Sequence, residues 1–177
     1  MVDKVISSLI RDVPDFPKPG IVFKDITPLL ADAKAMALIY EALAAPYLNL
    51  DEPVTKVLGI ESRGFIFGTP LAHKLGCGFV PVRKPGKLPW KTVSESYALE
   101  YGEDTLQLHE DAVKPGERIV IVDDLLATGG TLSATCRLAG KLGAKIVGCS
   151  VVIELGFLKG RDKLDGIPMH SLINYED

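Results

Sequence analysis

The densest chemistry in the chain lies in Ile119-Val-Ile-Val-Asp-Asp-Leu-Leu-Ala-Thr-Gly-Gly-Thr131. A run of β-branched residues ends in two carboxylates, small residues follow, and a helix-like pattern begins. Beyond Ala127, the backbone N–H groups of Thr128, Gly129, Gly130 and Thr131 can face one concavity, where the helix dipole also favours negative charge. The glycines admit phosphate oxygens closely, and the threonine hydroxyls add donors. Two adjacent carboxylates repel a bare phosphate, but they suit a ligand that carries vicinal hydroxyls beside its phosphate. Asp123 and Asp124 then accept hydrogen bonds from a ribose while Ala127–Thr131 holds the 5′-phosphate. The segment has neither the GxxxxGK[ST] nor the GxGxxG pattern. A lone Asp pair or Gly pair is ordinary turn chemistry; the whole arrangement is not.

Two further clusters carry charge. Glu61-Ser-Arg-Gly64 follows a strand-like run and precedes a helix-like one. Ser62 and Arg63 are therefore expected at the carboxyl edge of the sheet, where ligands of open α/β folds bind. A guanidinium there grips two phosphate oxygens at once. Arg83-Lys-Pro-Gly-Lys87 groups three cations, including Arg83 and Lys84; such a run is ordinarily a solvated loop.

The elements that must position these groups alternate along the chain. Lys56–Glu61, Gly78–Val82, Arg118–Asp124 and Lys145–Glu154 read as strands, several of them apolar at consecutive positions. That pattern belongs to strands covered on both faces. Helices are expected after Asp32 as N-cap until Pro46, from about Phe65 to Leu75 with Gly76 as stop, and from Gly130 until about Gly143. The fold class is α/β: a doubly wound, mostly parallel sheet flanked by helices. A small N-terminal cap of about residues 1–30, with no regular element expected between 11 and 28, and a mobile lid insertion of about 83–113 complete one domain, 1–177. Trp90 is expected to anchor the lid.

Composition narrows the function classes. In 177 residues, 47% are hydrophobic and 24% charged, with net charge −3 and mean hydropathy +0.21. These values exclude a disordered chain and disfavour a basic nucleic-acid binder. No run approaches the ~18 apolar residues of a membrane span, and the start lacks a secretion-signal pattern. Cys77, Cys136 and Cys149 form no CxxC pair and read as small core residues in a reducing cytoplasm. His73, His109 and His170 show no ligand spacing, and no metal-ligating set is visible.

Val122-Asp-Asp-Leu-Leu-Ala-Thr-Gly-Gly-Thr131 resembles the phosphoribosyl-pyrophosphate (PRPP) motif of the type I phosphoribosyltransferases. The resemblance narrows to the adenine phosphoribosyltransferase family through Asp15–Pro28, Gly59–Phe65, Val82–Pro89, Tyr97–Gly102 and Leu158-Lys-Gly-Arg161, and it covers nearly the whole chain in order. It implies the reaction adenine + PRPP → AMP + pyrophosphate, a step of purine salvage. It assigns Ser62, Arg63, Arg83 and Lys84 to pyrophosphate, Ala127–Thr131 to the 5′-phosphate and Asp123 and Asp124 to the ribose. Glu100 handles the proton at N7 and, with Arg63, is the catalytic expectation. Val22, Phe23, Lys24 and Leu155 are assigned to the base, with Phe23 stacked on the purine and the Val22 backbone reading the N1/N6 edge. A 6-oxopurine would leave those groups unpaired, which is a basis for rejection. Many relatives carry arginine at the position of Lys24, and lysine does not reproduce a guanidinium contact. Mg²⁺ is expected to bind mainly through PRPP and water, and a homodimer is implied. The alternatives are a phosphoribosyltransferase for another purine and a non-catalytic PRPP-sensing regulator.

Overall fold

Unbroken apolar runs become strands with a packed layer on each face. The computed structural model describes residues 2–98 and 102–176. Helix α1 (Val2–Ser8) leads into an antiparallel hairpin, β1 (Arg11–Pro14) and β2 (Val22–Asp25), and a one-turn helix α2 (Thr27–Leu30). Next come α3 (Ala33–Ala44), β3 (Lys56–Ile60), α4 (Gly64–Leu75) and β4 (Gly78–Val82). A second antiparallel hairpin, β5 (Thr92–Ala98) and β6 (Glu103–His109), precedes β7 (Arg118–Leu126), α5 (Gly130–Lys141), β8 (Lys145–Leu155) and β9 (Met169–Tyr175).

The central sheet has the order β4-β3-β7-β8-β9, and every neighbouring pair in it is parallel. The chain moves outward one way from β3 to β4 and the other way from β7 to β9. The order therefore reverses between β3 and β7, and a crevice opens beyond their carboxyl ends. Strand β7 shows why its sequence is continuously apolar. Val120 and Val122 join one core with Ile39, Leu43 and Phe67 from α3 and α4. Ile119 and Ile121 join the other with Leu132 and Leu138 from α5 and with Leu106 and Leu108 from β6.

The helix boundaries follow local chemistry. Asp32 caps α3, its Oδ1 accepting from the Lys34 and Ala35 amides at 2.9 Å, an arrangement worth about 1 kcal/mol. Pro46 falls in a 3-10 turn just past the helix end, and α4 stops at left-handed Gly76.

Two expectations, for residues 11–28 and for Trp90, need correction. Residues 11–28 do contain regular elements, β1–β2 and α2, but at four residues each they are too short for a periodic signal. The polar insertion is largely a hairpin, which turns Tyr97, Leu106 and Leu108 inward and leaves polar residues on the other face. Trp90 is 60% exposed, too open to serve as a packed anchor. Cys136 and Cys149 are buried as expected, although the fold also brings their sulfurs to 3.7 Å. Among the described residues no helix is long and apolar enough to cross a membrane.

Candidate active site

A cleft of about 260 Å³ opens over the carboxyl ends of β3 and β7. Its floor is the turn from β7 into α5. Gly129, the residue before α5, has φ +79°, a conformation that costs a glycine nothing and other residues dearly. It lets the chain bend at the floor of the cleft, where the first-turn amides of α5 have no intrahelical partner. Thr128 is exposed there and Thr131 half-buried. All of Ala127–Thr131 line the cleft.

The acid pair forms one wall. Asp124 is 3% exposed, and its Oδ2 is the buried side-chain oxygen or nitrogen left without a hydrogen bond among the described residues. Arg63 Nε stands 3.1 Å from that oxygen, forming an ion pair off the hydrogen-bond line. Burial pushes the Asp124 carboxyl up, and the Arg63 charge opposes the rise. Asp123 keeps some surface at the cleft, yet desolvation and the adjacent Asp124 charge push its carboxyl well above the usual range. An orphaned acceptor beside a phosphate-shaped turn suits a hydroxyl donor.

Arg63 lies at the start of α4, after the loop that leaves β3, with its guanidinium 5.6 Å from the Phe23 ring centre. Arg83 donates through Nε and Nη2 to Glu61 at 3.2 and 3.1 Å, which holds the Glu61 carboxyl below its usual range. The Lys84 ammonium pairs with Asp104 on β6. Tyr97 links this pair to the floor: its hydroxyl donates to Asp104 at 3.1 Å and accepts from Thr131 Oγ1 at 3.2 Å. Sequence reasoning gave no role to Glu61, Tyr97 or Asp104. Glu61 sits inside a motif already singled out, whereas Asp104 meets Tyr97 only through the register of β5 on β6.

The cap residues are placed less uniformly. Val22 is 49% exposed. Phe23 is half-buried and packs edge-on against Phe16, ring centres 5.2 Å apart. Lys24 is turned to Asp12 at 2.7 Å and lies over the Tyr175 ring, so its charge is held within the fold. Leu155 ends β8, paired with Tyr175. Glu100 lies outside the described residues. Ser62, Arg63, Lys84, Asp123, Asp124 and Ala127–Thr131 all border the one cleft.

Comparison with known proteins agrees over almost the full length. Residues 29–167 match the phosphoribosyl transferase domain family. An adenine phosphoribosyltransferase from Desulfitobacterium hafniense is 58% identical over 166 residues, 94% of this chain and 95% of that protein. The crystal structure of the adenine phosphoribosyltransferase from Rhodothermus marinus is 51% identical, covers 98% of each chain and superimposes with a TM-score of 0.92. The Saccharomyces cerevisiae enzyme, solved with adenine and an imino-altritol bisphosphate, is 36% identical over 97% of this chain and 98% of its own, with a TM-score of 0.91.

Proposed function

This chain belongs to the adenine phosphoribosyltransferase family, and from that premise we infer that it transfers the phosphoribosyl group of PRPP to N9 of adenine, yielding AMP and pyrophosphate. The observation that carries the reading is the meeting, in one cleft, of a glycine turn at the start of a helix, an acid pair with one buried oxygen that accepts no hydrogen bond, and the Ser62-Arg63 loop.

In this reading Ala127–Thr131 binds the 5′-phosphate, and Asp123 and Asp124 accept from the ribose hydroxyls, fixing the anomeric carbon in line with N9. Ser62, Arg63, Arg83 and Lys84 hold the pyrophosphate as its bond to the sugar loosens and negative charge builds on it. Glu61 and Asp104 are ion-paired to Arg83 and Lys84; Lys84 borders the cleft, and Arg83 stands behind it on Glu61. Phe23 and Leu155 sandwich the base, the Val22 backbone reads its edge, Lys24 supports the cap, and Glu100 manages the proton at N7. The insertion excludes water from the cationic sugar.

Magnesium dependence is general to the family. No cluster of three or more His, Cys, Asp or Glu side chains among the described residues is placed to cage a metal. Asp123 and Asp124, whose Oδ2 accepts no hydrogen bond although Arg63 is ion-paired to it, suit a Mg²⁺ ion reached through water and substrate hydroxyls. When bound, the ion offsets charge on the departing pyrophosphate. A homodimer, a cytoplasmic location and a single unit of 1–177 with a cap (1–30) and lid (83–113) belong to the same proposal.

The test is an assay of the purified protein with PRPP, Mg²⁺ and a panel of nucleobases. Adenine-dependent release of pyrophosphate with formation of AMP is expected. Preference for a 6-oxopurine overturns the base assignment; PRPP binding without base-dependent pyrophosphate release points to a non-catalytic sensor.

A further inference from the structure

Leu158-Lys-Gly-Arg161 has no task in the site as built above. It belongs to a strap of two 3-10 turns, Gly156–Leu158 and Gly160–Leu164, between β8 and β9. The strap meets the floor of the cleft backbone to backbone. A Cβ on Gly160 would stand 2.3 Å from the Ala127 carbonyl oxygen and 3.0 Å from the Gly129 nitrogen. A Cβ on Gly129 would stand 2.2 Å from the Gly160 carbonyl oxygen. Any side chain in this seam pushes the two backbones apart.

Arg161, the next residue, is held by a buried anchor. Its Nε and Nη2 donate to the two oxygens of Glu154 at 2.5 and 2.6 Å, and Nη1 donates to the Met169 carbonyl at 3.0 Å. Glu154, at the end of β8 and 3% exposed, also accepts from Ser171 Oγ on β9 at 2.6 Å. A planar fork meeting a carboxylate in this way fixes direction as well as distance.

We propose that Arg161 is a positioning residue for phosphate binding: anchored on Glu154, it seats Gly160 beneath Ala127–Gly129 and so aims the floor amides at the ligand's 5′-phosphate. The proposal rests on reading Ala127–Thr131 as the phosphate turn.

Three variants, R161Q, G160A and S171A, separate this role from simple support of the fold. R161Q removes the anchor; G160A leaves the anchor and wedges the seam; S171A trims one donor to Glu154. Calorimetry with ribose 5-phosphate reads the turn together with the acid pair, free of base and pyrophosphate contacts; steady-state kinetics reads the KM for PRPP and for adenine, and circular dichroism confirms folding. R161Q and G160A are expected to weaken ribose 5-phosphate and raise the PRPP KM by about tenfold or more, as a shift of about 1 Å in a preorganised site does. S171A moves both constants the same way by less, and the adenine KM stays within about twofold. A purely supporting role lowers thermal stability and the amount of active protein but leaves ribose 5-phosphate affinity alone. Unchanged affinity in the folded variants, or equal rises in both KM values, overturns the proposal. Wild-type protein that fails to bind ribose 5-phosphate overturns the reading of the turn, and the proposal with it.

Discussion

At Asp123, burial and the neighbouring Asp124 charge raise the carboxyl well above its ordinary 3.8. The folded chain therefore keeps a proton that the unfolded chain releases above pH 3.8. Stability falls as pH rises from there through the folded value, and the full cost persists above it. The ribose role proposed for Asp123 offers a reason to tolerate that cost. D123N is expected to raise stability at neutral pH by the order of 1 kcal/mol, with no gain at pH values below 3.8. Turnover should drop about 100-fold through loss of sugar alignment. Thermal melts across pH, run beside the assay, check both halves; a variant that is less stable at neutral pH refutes the reading of Asp123 as a strained group. The acid pair was legible in the sequence because its placement after a β-branched run is local information. Its partner Arg63 was legible as a cation at the carboxyl edge of the sheet, but not its approach to 3.1 Å from Asp124.

Among the elements, the β5–β6 hairpin shows how an insertion is tied to the rest of the fold. Glu95 on β5 accepts from Arg137 Nε at 2.6 Å and Lys141 Nζ at 2.7 Å, both on α5, and Lys141 also donates to the Ser94 carbonyl at 2.7 Å. These cations hold the Glu95 carboxyl below its usual range. Because α5 begins at the floor of the cleft, the same helix borders the cleft and secures the hairpin. E95A is expected to cost about 1 kcal/mol or less and to speed amide exchange in 92–98 and 103–109, leaving β3 and β7 protected. Exchange that quickens equally in the central sheet would show that the hairpin is no separate unit. The core helices announced themselves through caps and one-face spacing. The hairpins did not, because four-residue strands and a strand with one wet face carry too few apolar positions to set a period.

The whole molecule joins distant parts of the chain at one crevice. The β3–α4 loop supplies Arg63, the stretch after β4 Lys84, and the β7–α5 turn the floor, while Phe23 of the β1–β2 hairpin has its ring centre 5.6 Å from the Arg63 guanidinium. A ligand that touches all of them links their stabilities. AMP at about 100 times its Kd should stabilise the fold by about 2.7 kcal/mol, a rise in Tm of roughly 5–10 °C for a chain of this size. Adenine alone, lacking the phosphate and ribose contacts, should raise Tm less at equal concentration. Differential scanning fluorimetry reads both, and an unchanged Tm with saturating AMP argues against the cleft as the nucleotide site.

By itself, the sequence determined the doubly covered sheet, the boundaries of its main helices, and the amide turn with its two acids. Each depends on neighbours a few residues apart, whose alternation, capping and backbone freedom are set locally. Only the tertiary structure decided which charges meet: Arg83 with Glu61, Lys84 with Asp104, Arg63 with Asp124, and Arg161 with Glu154. Those pairings depend on strand order and hairpin register, which bring together residues that no periodicity connects. The seam between Gly129 and Gly160 is of the same kind: Gly129 already serves its own turn through its positive φ, but the close approach of the two backbones arises only because β8 and β9 carry the strap against that turn.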